Sequence, residues 1–173
     1  SFNFENIPMS NSESFCHVMP ITDVVMTVLM TPDMANFSGN VHGGTILKFL
    51  DQVAYACASR YSAGYVVTLS VDQVTFKQPI HVGELVTFFA RVNHVGTTSM
   101  EVGIRVEAEN IQNRTVRHTN SCYFTMVAVD ENRVPKTVPE LVLVDDLAKK
   151  RYRDAEKRKQ LRLDTQRLKD EKR

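Results

Sequence analysis

The chain has 173 residues, 43% hydrophobic and 24% charged, with a formal net charge of +1, enough for one well-buried domain and an appendage but not for two full domains. The charge is uneven: residues 145–173 hold 12 Lys and Arg against 7 Asp and Glu, which leaves residues 1–144 at net −4. Three widely spaced cysteines (Cys16, Cys57, Cys122) fit neither a disulfide framework nor a zinc pattern, and no apolar run approaches the length of a membrane span.

Residues 1–20 are polar and show no period. Residues 21–29 are rich in β-branched side chains and run into Met30-Thr31-Pro32, which predicts a first strand stopped by proline. After an irregular loop, a helix is predicted over residues 43–61. Its Ile46, Leu47, Phe49, Leu50, Val53, Ala54, Cys57 and Tyr61 share one broad face at about 100° per residue. Ser62-Ala63-Gly64 ends it.

From Val66 onward the period is two, with Val67, Leu69 and Val71 alternating with Thr68, Ser70 and Asp72. The parity then flips to Val74 and Phe76, which predicts a bulge near Asp72-Gln73. Val86, Phe88, Ala90 and Val92 mark a third strand. After a turn at residues 96–99, Met100, Val102, Ile104, Val106 and Ala108 mark a fourth, with charged residues alternating between them. A polar turn at residues 110–114 leads to a last strand over residues 115–129. Four consecutive strands with short turns imply an antiparallel meander.

One long apolar helix against about five antiparallel strands is an α+β arrangement, in which a curved sheet wraps the helix as in the hotdog fold. The expected organisation is an irregular segment 1–20, one domain 21–130, a proline-containing linker 131–144 and a charged helix 145–173. Exposed sheet edges and a partly uncovered helix argue for at least a dimer. The C-terminal helix reads as solvated or packed on a neighbouring subunit. Its interspersed acids argue against a nucleic-acid arm, and truncation ahead of it is expected to preserve the core and its chemistry. Cys57 and Cys122 lie in apolar runs and read as buried free thiols. That usage, with no basic-then-apolar leader in the sequence given, makes cytoplasmic the expected location.

The chemistry concentrates in Asn36-Phe-Ser-Gly-Asn-Val-His-Gly-Gly44 and the helix that follows. Gly43 and Gly44 allow a ligand close to the backbone. The first helical turn offers amide N–H groups without intrahelical partners at the positive end of the dipole, suited to polarising a carbonyl. Asp51 falls at the margin of the apolar face, where a carboxylate needs hydrogen bonds, a raised pKa or a ligand cavity. Asn36 either fixes the loop through an Asx turn or orients a water or carbonyl. His42 reads as loop-structuring or substrate-lining rather than a base. The histidines have no metal-ligand spacing, so carboxylate-assisted attack by water is the simplest mechanism. Asp51 and Gly44 are separated by ~10 Å along the helix, too far for one helix to bring a base to the attacking water and amides to the oxygen of the same carbonyl, so a composite site between two subunits is expected.

Residues 36–51, followed by Val66-Val-Thr-Leu-Ser-Val-Asp72 and Phe76-Lys-Gln-Pro-Ile-His-Val-Gly83, resemble the hotdog acyl-CoA thioesterases, in particular the cytosolic brain-type acyl-CoA hydrolases and their bacterial relatives. The similarity spans about residues 20–130. It implies hydrolysis of fatty acyl-CoA, with Asn36 and Asp51 as a catalytic pair from different hotdog units, and an assembly that is a dimer or a trimer of dimers. Some bacterial members respond to guanine nucleotides, which makes such a regulator a further implied partner. No cofactor or metal is implied beyond the coenzyme A of the substrate.

Under this reading Asp51 is a general base or a direct nucleophile, Asn36 orients water or substrate, and the Gly43–Gly44 amides polarise the thioester. Leu47, Val53 and Ala54 are expected to line the acyl groove. His42, Thr68, Ser70, Thr97, Thr98 and Ser99, with the cations Lys77 and Arg91, are the candidate substrate-binding groups. The rival readings are a non-catalytic acyl-CoA or nucleotide-binding hotdog protein and a hotdog acyl-thioester dehydratase.

Overall fold

In a computed structural model that describes residues 20–171, the chain runs β1 (Asp23–Leu29), a short 3-10 turn (Pro32–Met34), α1 (Gly43–Ser62), β2 (Val66–Val71), β3 (Leu85–Val95), β4 (Ser99–Asn110), β5 (Thr115–Ala128) and α2 (Asp146–Asp170). The five strands form one sheet in the order β1-β3-β4-β5-β2, every pair antiparallel. α1 contacts all five strands, so the sheet wraps it as expected for a hotdog. Among the described residues no helix is long and apolar enough to cross a membrane.

The core follows from the two periods in the sequence. Alternate residues over 86–92 of β3, 100–108 of β4 and 122–128 of β5, including Phe88, Val102, Ile104, Phe124 and Met126, are buried and form the core with α1. From the helix, Ile46, Leu50, Val53, Ala54, Cys57, Ala58 and Tyr61 meet them. Burial pushes the Cys57 and Cys122 thiols up to about 12, Asp23 adding to it at Cys57 and Asp72 at Cys122, so both behave as small apolar core residues. α1 stops at Ala63, which adopts a left-handed φ of 54° and donates its N–H to the Ser59 carbonyl.

β2 departs from expectation in three ways. It pairs with β5 rather than β3, so only β3, β4 and β5 form a meander. Residues 72–84, at ~3.3 Å per extended residue, have ample reach to cross from one edge of the sheet into its interior. The irregularity lies between Thr68 and Ser70 instead of near Asp72-Gln73, and β2 ends at Val71. Finally, Val67, Leu69 and Val71 are 45%, 67% and 44% exposed, because an edge strand with one neighbour has nothing in its own chain to cover them.

α2 lies on the outer face of the sheet, opposite α1. Its Tyr152 ring stacks on His94 with centroids 4.4 Å apart, and its Arg158 guanidinium sits 3.6 Å from the Tyr123 ring centroid. Burial and the neighbouring Lys159 hold the His94 imidazole below its ordinary pKa. The Asp145 carboxylate caps the helix by accepting from the Ala148 amide. The stretch leading to α2 is tied to the fold as well: Tyr61 Oη donates to the Pro139 carbonyl, and the Val138 amide donates to the Thr97 carbonyl.

Candidate active site

The site begins with a loop that closes on itself. An antiparallel bridge joins Ala35 to Val41. Between them the Asn36 amide donates to the Asn40 carbonyl, and the Gly39 amide to the Asn36 carbonyl. Gly39 has φ of 81°, a conformation that disfavours any side chain, which accounts for a glycine there. The Asn36 side chain then fastens the turn. Its Oδ1 accepts from the Ser38 amide at 2.9 Å, the Ser38 hydroxyl at 2.7 Å and the Asn40 amide at 3.1 Å.

Two backbone donors fix which end of the Asn36 amide is oxygen. Its Nδ2 has no acceptor among the described residues, so its donor capacity is unused within the chain. The loop-fixing reading of Asn36 is thus carried by Oδ1, and an orienting role would fall to Nδ2.

The loop is braced from outside by residues 79–84. The Val41 amide donates to the Ile80 carbonyl, and His81 Nδ1 and Asn40 Oδ1 are 2.9 Å apart. Behind them Glu84, almost fully buried, accepts from both Arg117 guanidinium nitrogens and from the His81 amide, while Arg117 also donates to the Pro79 carbonyl. Burial alone would raise the Glu84 pKa, but the Arg117 hydrogen bonds and the His81 amide outweigh it and hold the carboxylate below its ordinary range.

α1 starts from this loop with His42 at its N-cap, and the His42 carbonyl accepts from the Thr45 and Ile46 amides. The Gly43 and Gly44 amides have no backbone acceptor among the described residues. Gly43 packs against the Phe76 ring, whereas nothing lies within 4 Å of the place a Gly44 Cβ would occupy. The His42 side chain is exposed, beside this opening.

Asp51 lies two turns further along the same exposed side of α1. It does not stand alone: Thr68 Oγ1, reaching from β2, donates to Asp51 Oδ1 at 2.7 Å. Leu47 and Tyr55, one turn before and one turn after, are 38% and 42% exposed. Asp51 therefore sits on an apolar, uncovered helix face rather than in a cavity of its own chain.

The remaining candidates divide. Thr68 belongs at the carboxylate, and Ser70 follows it on the same strand beyond the bulge. Lys77 is exposed in the 72–84 connection. Arg91 does not join the site; it lies on the outer face of the sheet in a bidentate pair with Asp23, because its parity on β3 is opposite to that of the core residues Ala90 and Val92. The turn of Thr97, Thr98 and Ser99 is engaged in the fold, its three carbonyls accepting from the Val138, Ala128 and Gly96 amides respectively. Val53 and Ala54 are sealed in the core at 1% and 0% exposure and offer no groove surface, which leaves Leu47 alone of the three accessible. Sequence reasoning missed Tyr55, Phe76 and the Asn40–His81 brace, although the spacing of Leu47, Asp51 and Tyr55 by four marks a helical stripe.

Residues 38–114 match the Thioesterase superfamily. Protein VdlD of Helicobacter pylori is 52% identical over 82% of this chain and 80% of its own length. The crystal structure of an apo-hexameric acyl-CoA thioesterase superposes with a TM-score of 0.80 at 35% identity, covering 83% of this chain and 92% of that one. This chain belongs to the hotdog acyl-CoA thioesterases. The acyl-CoA hydrolase of Staphylococcus aureus, solved with butyryl coenzyme A and coenzyme A, gives a TM-score of 0.76 at 29% identity over 88% of this thioesterase and 95% of that chain. Solved variants of the same enzyme replace an Asn, an Asp and a Thr by Ala at successive intervals of 15 and 17 residues. Asn36, Asp51 and Thr68 of this thioesterase have the same order and the same intervals.

Proposed function

We propose that the protein hydrolyses fatty acyl-CoA to free fatty acid and CoA, in sites built between two copies of the chain. The observation that carries this is the Thr68–Asp51 hydrogen bond on an uncovered helix face, in line with the amides of Gly43 and Gly44. Asp51 takes a proton from water as the water adds to the thioester carbonyl, and the tetrahedral intermediate collapses with cleavage of the C–S bond and departure of the CoA thiolate. Direct attack by the carboxylate, giving an anhydride that water then opens, uses the same residues. Asn36 Nδ2 and the Gly44 amide donate to the carbonyl oxygen, where negative charge develops.

The ~10 Å between Gly44 and Asp51 along α1 supports a shared site, in which the Asn36–Gly44 loop of one copy faces Asp51 of the other. The exposed apolar edge formed by Val67, Leu69 and Val71 supplies a surface for that pairing. A trimer of such dimers agrees with the hexameric relative, and a cytoplasmic setting agrees with the free buried thiols of Cys57 and Cys122.

The test is release of free thiol from saturated acyl-CoAs of graded chain length, with wild type and Asp51→Asn. The variant should bind acyl-CoA but turn over about two to four orders of magnitude more slowly. Acyl-CoA binding without thiol release by the wild type would favour a non-catalytic binding protein instead.

A further inference from the structure

α2 reaches the end of β2, the strand whose Thr68 donates to the candidate base Asp51 on α1. On the outer face of the sheet, Glu101 is a nearly fully buried carboxylate held by two arginines of this helix. Arg158 donates to it through Nη2 at 2.6 Å and Nε at 3.1 Å, Arg162 through Nη2 at 3.4 Å, and Asn93 Nδ2 completes the set at 3.4 Å. The other arm of Arg162, Nη1, donates at 2.8 Å to Asp72 Oδ2. Asp72 follows directly on the last residue of β2, and Thr68 lies four residues earlier on the same strand.

β2 needs such a tether more than any other strand. It has six residues, one neighbouring strand and an irregularity between Thr68 and Ser70. Past the bulge its end is held by pairing to β5, the backbone bond from the Asp72 amide to the Tyr123 carbonyl, and Arg162. Arg162 is itself anchored on Glu101, in the long central strand β4. It therefore ties the loose end of an edge strand to the rigid middle of the sheet. The Thr68 hydroxyl can hold the Asp51 carboxylate only as firmly as its strand is held.

We propose that Arg162 is a positioning residue for the Thr68–Asp51 pair, acting through Asp72, so that the C-terminal helix sets the geometry of the reaction without touching substrate. The proposal rests on Asp51 and Thr68 forming the hydrolytic site, and its test separates the two ideas.

Arg162→Gln should lower kcat about tenfold with KM changed less than about twofold, as expected when a reacting group is misplaced by a fraction of an ångström. Arg162→Lys should recover part of the loss, since an ammonium reaches one carboxylate but cannot bridge two. Lys150→Gln removes an ion pair to Asp154 within α2 that does not reach β2, and should leave kcat unchanged. The deciding measurement is the double variant Arg162→Gln with Thr68→Val. If Arg162 acts through Thr68, the pair should be no slower than Thr68→Val alone, and multiplied losses would overturn the proposal.

Amide hydrogen exchange gives a readout independent of turnover. Arg162→Gln should speed exchange in β2 while leaving β3 and β4 protected, and unchanged exchange in β2 would equally overturn it. If Arg162→Gln does not fold, Asp72→Asn breaks the same tether from the strand side and is read in the same way. Wild-type turnover by Asp51→Asn would remove the assumed site, while the exchange result would still decide whether Arg162 holds β2.

Discussion

Thr68 and Asp51, 17 residues apart in sequence, meet across a 2.7 Å hydrogen bond between an edge strand and the central helix. The carboxylate thereby keeps one oxygen committed to a hydroxyl donor and the other available, which fixes its rotamer on a helix face that would otherwise leave it free to turn. A hydrogen bond to a charged group contributes about 1.5–3 kcal/mol. Thr68→Val, which preserves shape and removes the donor, should therefore lower kcat by about ten- to a hundredfold with folding intact. Steady-state kinetics over a range of acyl-CoA concentrations, with circular dichroism as a folding check, decides it. A change confined to KM would make Thr68 a substrate contact instead.

Asn36 divides its duties between two atoms, and one substitution separates them. Asn36→Asp keeps oxygens that can accept from the Ser38 and Asn40 amides, so the loop should stay closed, but it removes the Nδ2 donor. Loss of one donor to a developing oxyanion costs about 10²–10³ in turnover. A loss of that size with unchanged thermal stability supports a role in polarising the thioester. Near-normal turnover would reduce Asn36 to its part in the loop.

The composite site makes its own forecast. Asn36→Ala and Asp51→Ala subunits should each be inactive alone. After mixing under conditions that allow exchange, some pairs carry one intact site, and activity should return toward about a quarter of the wild-type level for random pairing of two-site dimers. Mass spectrometry of differently tagged subunits verifies the exchange. Mixed oligomers with no activity would place both residues in the same subunit's site.

Much of this was legible in sequence because two periods act independently. The helical stripe from Ile46 to Tyr61 and the alternation from Met100 to Ala108 each have one apolar face and one partner to bury it against. β2 misled because alternation shows only that one side is apolar, not what covers it. Val67, Leu69 and Val71 have the pattern of a core strand yet lie exposed at an edge. Arg91 was misplaced because a cation on an inner-face strand reads the same whichever way it points, and parity against Ala90 and Val92 becomes decisive only once the core face is known. Asp51 and Gly44 lie on one helix and could be read together. Thr68 and Asp51 are joined by tertiary structure alone, as are Arg162 and Asp72, and no local pattern announces either pair.

The buried Glu84–Arg117 pair gives a pH dependence with a definite sign. The Glu84 carboxylate titrates below its ordinary range in the folded chain, so the unfolded chain binds the proton more readily. Its contribution is present at pH above the ordinary carboxylate value and is lost as pH falls through the lower folded value. Glu84→Gln should cost roughly 2 kcal/mol near neutrality, since it leaves the Arg117 guanidinium without its charge partner. Urea unfolding of both proteins from about pH 7 to about pH 3 should show the difference shrinking toward the acid end. A difference constant with pH would mean the ion pair contributes nothing through its charge.

The C-terminal helix is expected from sequence to be separable from the chemistry, and the proposed tether from Arg162 to Asp72 leads to the opposite prediction. Removing residues 145–173 strips Arg158 and Arg162 from Glu101 and Asp72, and Tyr152 from His94. A carboxylate that is nearly fully buried in the intact chain would face solvent beside Asn93 without either of its arginines. The truncated protein should still fold, because the apolar layer between α1 and the sheet is intact, but its thermal midpoint should drop by about 5 °C or more. Its turnover should fall at least as far as that of Arg162→Gln, since the tether on β2 is lost along with the covering face. The helix should not bind polyanions with the steep salt dependence of phosphate neutralisation, because acids intersperse its cations, Lys149, Lys150 and Lys157 pairing with Asp146 and Asp154, and Arg158 and Arg162 are committed to carboxylates of the sheet. Thermal unfolding, thiol-release kinetics and salt-dependent DNA binding, compared between intact and truncated protein, test all three expectations. Undiminished kcat in a truncated protein of normal stability would return the helix to the status of a dispensable tail.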